Sequence, residues 1–255
     1  MLLDPSLPQF WSDLFQVLLV GTGETLYMVG VSLLITIIVG LPLGIVLVGT
    51  EPGGLIERPF GSRRLGRVIN RVLEFVVNLG RSVPFIILMV ALIPFTRLVV
   101  GTFIGSTAAI VPLAIVAIPF FARMVEIAIK EVDTGLIEAA ESLGATRWQI
   151  ISKVLVPEAL SPMILGLSTT VTSIINFSAM VGTVAGGGLG DVAVRFGYQR
   201  YSNIHMLAVI IVIFVIVMIL QGLATMLAKR FAHKSRPNRA VQAPSVLRPR
   251  AASGT

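Results

Sequence analysis

The sequence contains no cysteine and only 2 histidines, which stand far apart at His205 and His233. Disulfide bonds and thiolate metal sites are therefore excluded, and a metal site built from clustered histidines is not expected. Charge is scarce as well, since 13% of the 255 residues are charged, whereas a soluble domain carries about 25%. With 55% hydrophobic residues and a mean hydropathy of +0.91, the composition indicates an integral membrane protein.

Positive charge is missing from the start of the chain, because no lysine or arginine occurs before Arg58. A secretory signal needs a positively charged first region, so the opening is not expected to be one. Residues 1–24 are instead predicted to form an extracytoplasmic amphipathic lead. Phe10, Trp11 and Phe15 in this lead suit a position at the membrane interface.

Long apolar runs predict an all-α protein with five transmembrane helices, since about 20 helical residues cross the hydrocarbon core. The predicted spans are residues 25–50, 69–95, 107–127, 160–184 and 204–228. The second span is the least regular, because Pro84 is expected to kink it. A polar stripe of Arg71, Glu74 and Arg81 lies on one face of this span. We expect these three side chains to pair with one another near its cytoplasmic end, and a contact with the substrate is the alternative.

The placement of the basic residues predicts the orientation of the spans. With the N-terminus outside, the loops at 51–68 and 131–158 and the tail at 231–255 lie in the cytoplasm. Of the 20 Lys and Arg residues, those left outside are then Arg97, Arg195 and Arg200. The basic tail is rich in Pro, Ser and Ala, and it is predicted to be disordered; it is also suited to anionic lipid head groups.

The loop between the third and fourth spans is a polar, small-residue segment in an otherwise apolar chain. Asp133 or Thr134 can cap a first helix, and Gly144 stands where a left-handed residue would end it. Thr146 with Gln149 three residues later predicts a capping box for a second helix. We call this segment, residues 131–158, the island.

Spacing alone leaves the role of the island open between a connector on the membrane surface and an element that meets a partner in the aqueous phase. Leu136, Ala140 and Leu143 share one face of the first helix, and small Ala139 and Ala140 would let another backbone approach. A DNA-binding helix-turn-helix has the same layout. The flanking spans hold the island at the bilayer, so no nucleic-acid partner is expected.

The island resembles the cytoplasmic signature loop of bacterial ABC importer permeases. The matching positions are Glu138, Ala139, Ala140, Gly144, Val154, Val156 and Pro157. The family more often has Ile and Leu where this chain has Val154 and Val156. The resemblance implies a coupling helix that docks into a cleft of a separate ATPase subunit. It assigns ATPase coupling to Glu138, Ala139, Ala140, Leu143, Gly144, Ala145, Thr146 and Pro157.

Several further segments are similar to methionine importer permeases. They are residues 81–86, 93–97, 108–113, 122–126 and 178–180, with the glycine turn at 186–190. This similarity implies a type I ABC importer permease fold over residues 25–230. It also implies a homodimer in the cell membrane, two ATPase subunits and an extracytoplasmic methionine-binding protein. By the same resemblance, Ser178 and Met180 lie on the translocation axis where the two subunits meet. Met180 is then either core filler or, paired with its copy, a residue that helps to close the gate in the inward-facing state.

The sequence has no complete phosphate-binding loop. The nearest candidate, residues 61–68, has Arg67 and Val68 where Lys and then Ser or Thr are required. The chain is therefore expected not to be an enzyme and to bind no cofactor, with ATP and Mg²⁺ held by the partner ATPase. The glycine turn at 186–190 is interpreted as a flexible, closely packed connection near the outer gate and not as a dinucleotide site.

The expected function is that of the membrane-spanning permease subunit of an ATP-driven methionine importer. The alternative is an ABC permease for another small amino acid or organic ion. A secondary transporter would need carboxylates near the bilayer midplane for ion coupling, and spans one, three, four and five have none there. A channel would leave the signature loop without a purpose.

Overall fold

The computed structural model describes residues 6–57 and 62–232. Over these residues the chain is helical, and no strand occurs in them. The four long helices are α1 (Pro8–Gly49), α5 (Ser106–Lys130), α9 (Leu160–Val181) and α11 (Asn203–Ala232). The shorter ones are α2 (Arg63–Ser82), α3 (Phe85–Ala91), α4 (Ile93–Val100), α6 (Thr134–Ser142), α7 (Arg147–Ile150), α8 (Val156–Glu158) and α10 (Gly188–Val192).

The number of candidate membrane spans depends on how α2 and α3 are counted. Among the described residues, four helices are long and apolar enough to cross a membrane, and the count reaches five if α2 and α3 form one bent span. The predicted third, fourth and fifth spans correspond to α5, α9 and α11. Helix α11 continues two residues into the predicted tail, and residues 233–255 lie outside the described part of the chain.

Helix α1 begins well before the predicted first span. It runs without a break for 42 residues from Pro8, a position where a proline suits the first helical turn. Residues 8–24 are therefore the first part of this helix and not a separate lead. Phe10 is buried edge-on against the ring of His205 in α11, while Trp11 and Phe15 are exposed. Of the three aromatic residues expected at an interface, Phe10 is thus a packing residue.

The predicted second span is not one kinked helix. Val83 and Pro84 have extended backbone geometry, and α2 and α3 meet at a bend of 107°. Proline lacks an amide hydrogen and pushes the residue before it out of helical geometry. Helix α2 therefore ends at Ser82, and a separate helix, α3, begins after Pro84. Beyond the break, Phe85 stacks on Phe177 of α9 with ring centroids 4.7 Å apart. This contact fixes the new direction.

Helix α5 is the centre of the fold, and α1, α2 and α9 all pack against it. Helix α1 lies closest, where Gly44 leaves no room for a side chain against Ala122 and Val125. Two apolar clusters lie along α5. One, at the end away from the island, includes Met28, Leu113 and Ile174. The other surrounds Phe121 and Val125 and extends to the island.

Candidate functional site

The first helix of the island is closed at both ends by local hydrogen bonds. Asp133 caps α6, since its Oδ1 accepts from the Gly135 amide at 2.8 Å. At the other end, Gly144 adopts a left-handed conformation with φ +77. The Ala145 amide donates to the Ala140 carbonyl at 3.1 Å, and the Gly144 amide donates to Glu141 at 2.9 Å. This is the glycine cap expected from the sequence.

The second helix of the island leads to α9. Thr146 and Gln149 form the predicted capping box, with the Thr146 amide donating to Gln149 Oε1 at 2.8 Å. After α7 the chain widens into a π-helical turn at Ile151–Leu155, next to Pro157. Pro157 lacks the amide that would continue the hydrogen-bond ladder. The helix is interrupted at Ala159, and α9 begins at the next residue.

The outer side of the island is uncovered. Leu143 is 88% exposed and Trp148 is 74% exposed, and Glu138 and Ala139 beside them are exposed too. These two large apolar side chains are therefore free to contact another molecule. Among the described residues, α6 has no fully buried member.

The residues predicted to share one face of α6 differ in burial. Leu136 and Leu143 are exposed, but Ala140 packs with Ile137 and Ala145 against the core cluster of α5. Leu136, Ala140 and Leu143 share one helix face by spacing, but Ala140 is turned toward the core while the two leucines are exposed. A small residue is required there by the chain's own packing.

A cavity of about 410 Å³ lies between α6, the end of α5 and the turn after α1. Its walls are mostly apolar, and the charged side chains in its lining are Lys130, Glu138 and Glu141. The inner side of α6 is thus only partly filled by protein.

An ion cluster that sequence reasoning missed lies beside this cavity. Glu126 of α5 is 2% exposed, and both of its oxygens accept from Arg123 Nη1, at 2.6 and 2.7 Å. Lys130 Nζ donates to Glu126 Oε1 at 2.9 Å and lies 2.6 Å from Oε1 of Glu51. The negative charges of the two carboxylates therefore equal the positive charges of the two cations. We call Glu51, Arg123, Glu126 and Lys130 the ion cluster.

The polar stripe of the second span does not form the expected ion pairs. Arg71, Glu74 and Arg81 are all exposed on α2, and no ion pair joins them within residues 62–232. Arg81 lies over the ring of Phe120 instead, at 5.9 Å from the centroid. The spacing placed them on one face correctly, but it did not bring them together.

The two predicted gate residues differ in their surroundings. Ser178 is buried and donates to the Ile175 carbonyl of its own helix at 2.7 Å. Met180 is 37% exposed near the end of α9. Among the described residues, no three His, Asp or Glu side chains are grouped to hold a metal ion.

Residues 40–233 match the model of a family described as binding-protein-dependent transport system inner membrane component. The chain belongs to this family. It is accordingly a multi-pass inner-membrane permease of a transport system. The permease is 50% identical over 217 residues to the probable D-methionine transport system permease protein of Vibrio cholerae, covering 85% of this chain and 93% of that one.

Other relatives agree with this assignment. The permease is 46% identical to the probable D-methionine transport system permease protein of Pasteurella multocida, over 89% of this chain and 99% of that one. A solved structure of an inward-facing MetNI methionine ABC transporter matches with a TM-score of 0.80 and 41% identity. That match covers 89% of this chain and 99% of the other. The permease thus has the fold of this ABC importer, as the resemblance implied.

At the end of the permease opposite the island, α1 holds the glycine turn in place. Glu24 Oε2 accepts from the buried Gly188 amide at 2.6 Å, and Thr25 Oγ1 accepts from the Leu189 amide at 2.9 Å. Gly187 and Gly188 have φ of +78 and +75, which favours glycine. The predicted close packing is confirmed at Gly186 and Gly190, where an added Cβ would clash with Val181 and Ala179.

We predict that Glu24→Ala loosens this turn. The Gly188 amide would lose its acceptor while buried, at a cost of about 1–3 kcal/mol. Hydrogen–deuterium exchange of residues 186–192 should become faster. The exchange rate of Glu24→Gln, which keeps an acceptor oxygen, should lie between the rates of Glu24→Ala and the wild type. Asp13→Ala is the control, because Asp13 makes no hydrogen bond with the described part of the permease. Equal exchange in both alanine variants would contradict the prediction.

Proposed function

We propose that this chain is the membrane-spanning subunit of an ATP-driven importer of methionine. It forms the translocation pathway, and a separate ATPase supplies the energy. The relatives named as D-methionine permeases and the methionine ABC transporter structure support this assignment over most of the chain. The substrate assignment follows from these relatives, since the chain's own residues specify little of it.

The uncovered island is the observation on which the coupling proposal depends. Leu143 and Trp148 are exposed on a segment rigidly capped at Asp133, Gly144 and Thr146. We propose that Glu138 to Gly144 enter a cleft of the ATPase. The helix after Thr146 leads through the π-helical turn to α9. A displacement of the island by the ATPase would therefore move a membrane span.

The proposed assembly has two copies of the permease, two ATPase subunits and an extracytoplasmic methionine-binding protein. The N-terminus lies outside and the C-terminus in the cytoplasm, which puts the island on the ATPase side. The loaded binding protein docks outside, and ATP closes the ATPase dimer. The islands then move the spans to an outward-facing state, and hydrolysis resets them. ATP and Mg²⁺ bind to the ATPase, and this chain hydrolyses nothing.

We propose that the two Met180 side chains of the dimer meet on the axis and close the gate in the inward-facing state, beside Ser178. Met180→Ala should then raise methionine leakage from loaded proteoliposomes without ATP about 10-fold, since losing about 1.4 kcal/mol of apolar contact shifts the gate equilibrium that far. Met218→Ala is a matched control, because Met218 is an exposed methionine on α11. Unchanged leakage in Met180→Ala would count against this gate.

The substrate is tested by uptake of labelled methionine in cells that lack this chain. Uptake should fall on deletion, return with the wild-type gene, and be competed by unlabelled D- or L-methionine. Competition by another amino acid alone would assign the permease to that substrate. Uptake that persists at full rate after deletion, with the other methionine systems absent, would overturn the methionine assignment.

A further inference from the structure

The ion cluster connects two helices at the end of the permease where the island lies. Glu51 follows the last turn of α1, whereas Arg123, Glu126 and Lys130 belong to α5. Lys130 lies between the two carboxylates, 2.6 Å from Glu51 and 2.9 Å from Glu126. It is therefore the bridge that joins the end of α1 to the end of α5.

The same end of α1 is also fastened to α2. Asn70 is buried, and its Nδ2 donates to the Leu47 carbonyl at 2.9 Å and to Thr50 Oγ1 at 3.3 Å. Three helices thus share a polar connection within one helical turn of Glu51. A polar network that satisfies its members in this way holds one arrangement in preference to others.

The ion cluster stands immediately before the island. Lys130 is the last residue of α5, and α6 begins at Thr134. Val132, between them, is buried in the same apolar cluster as Ile150 and Leu155 of the second island helix. Any displacement of α6 therefore reaches Lys130 through a very short, well-packed connection.

Direct packing between α6 and the turn after α1 is weak by comparison. The cavity of about 410 Å³ separates them, with Gly53, Leu55 and Lys130 on one side and Glu138 and Glu141 on the other. A movement of α6 toward this cavity would narrow it before α6 met the turn after α1. At this end of the permease, the polar route from the island to α1 runs through Lys130 and Glu51, beside the apolar cluster that α1 and α5 share.

We propose that the ion cluster positions the cytoplasmic ends of α1 and α5 so that they move as one body when the ATPase displaces the island. This inference deepens the proposed function and rests on it. Without the bridge, the end of α1 beyond Gly44 would be held to α5 by apolar packing alone, and its position would follow the island less closely. ATP would then be hydrolysed with less methionine moved, because the spans would not reorient together.

Glu51 is the residue to change, because the buried part of the cluster survives its loss. Removing Glu126 would leave Arg123 and Lys130 without their shared buried carboxylate, and such a variant is expected to misfold. Glu51→Ala removes a partly exposed partner and leaves the Arg123, Glu126 and Lys130 contacts in place. Glu57→Ala is the matched control, since Glu57 lies in the same turn, has similar exposure and pairs with Arg63 at 3.4 Å.

The test is the ratio of methionine imported to ATP hydrolysed in proteoliposomes that contain the permease, the ATPase and the binding protein. Glu51→Ala should lower this ratio by up to about 5-fold, the most that a partly exposed ion pair contributes. The thermal midpoint and the basal ATPase rate should stay at wild-type values. Lys130→Ala should lower the ratio as well, and its thermal midpoint should fall below that of Glu51→Ala because it also removes a hydrogen-bond donor from buried Glu126.

The outcomes separate this inference from the proposed function. If the wild-type assembly imports no methionine, the proposed function fails. The ion cluster has no positioning role if the wild-type assembly imports methionine and the import-to-hydrolysis ratio of Glu51→Ala equals that of the wild type or that of Glu57→Ala.

A second readout does not depend on the substrate. The chain has no cysteine of its own, so spin labels can be placed at Pro52→Cys and Glu131→Cys, both exposed. Their intrachain distance should stay constant between nucleotide-free and nucleotide-trapped states. It should change between those states in the Glu51→Ala background, and a constant distance there would overturn the inference.

Discussion

Replacing Leu143 with alanine should weaken the association of the permease with its ATPase about 30-fold. Leu143 is 88% exposed at the end of α6, and a partner that buries this side chain gains about 2 kcal/mol. At limiting ATPase concentration, ATP-dependent uptake should fall in the same proportion. The fold should be unaffected, because Leu143 makes almost no contact with the rest of the chain. Titration of detergent-solubilised permease with the ATPase measures the effect.

A matched control for Leu143 exists in the same chain. Leu98 of α4 is 82% exposed, and the predicted orientation places it on the extracytoplasmic side. Leu98→Ala removes the same atoms and should leave ATPase affinity unchanged. If both variants bind the ATPase as the wild type does, Leu143 is not an anchor and the docking face of the island lies elsewhere.

Gly44→Ala should destabilise the permease by about 1–3 kcal/mol, the usual range for overpacking a tight contact. A methyl group at Gly44 would lie 2.6 Å from the Ala122 carbonyl oxygen and 2.7 Å from Val125 Cβ. Backbone and a branched side chain cannot move aside cheaply, so α1 would be pushed from α5. The thermal midpoint in detergent should fall, along with the yield of monodisperse protein.

Gly30 provides the comparison for Gly44 within the same helix. An added Cβ at Gly30 meets nothing within 4 Å, and alanine is a better helix former than glycine by about 1 kcal/mol. Gly30→Ala should therefore hold or raise the midpoint. A lower midpoint in Gly30→Ala than in Gly44→Ala would contradict the described α1–α5 contact.

The local structure of the island could be predicted from the sequence, because short-range hydrogen bonds determine it. The glycine cap at Gly144 and the capping box of Thr146 and Gln149 each depend on residues within a few positions. The sequence allowed either Asp133 or Thr134 as the N-cap of α6, and the structure shows that it is Asp133. Which side of α6 packs inward also escaped prediction, since Ala140 fits a slim outer face and a tight inner one equally well.

The second span shows where local reasoning failed. Pro84 predicts a kink within one helix, but the structure has a break, and the 107° bend between α2 and α3 is accompanied by the stacking of Phe85 on Phe177. The polar stripe failed for a similar reason. A helical spacing places Arg71 and Glu74 on one face, and it does not determine whether exposed side chains meet.

The two polar features that tie the fold together differ in how far they were predictable. Arg123, Glu126 and Lys130 follow the three- and four-residue spacing of helical ion pairs, so this part of the ion cluster had a readable signal. Glu24 had none. Its partner amide, Gly188, lies 164 positions along the chain, and a backbone amide leaves no trace in the sequence.

The central claim is that this permease moves methionine only when a separate ATPase drives it through the island. Its most direct test is labelled-methionine uptake by proteoliposomes that carry the permease, the binding protein and the ATPase, supplied with ATP or with an imposed ion gradient. We expect uptake with ATP and the ATPase together, and none when either is omitted. Uptake driven by the ion gradient without ATP would contradict the central claim.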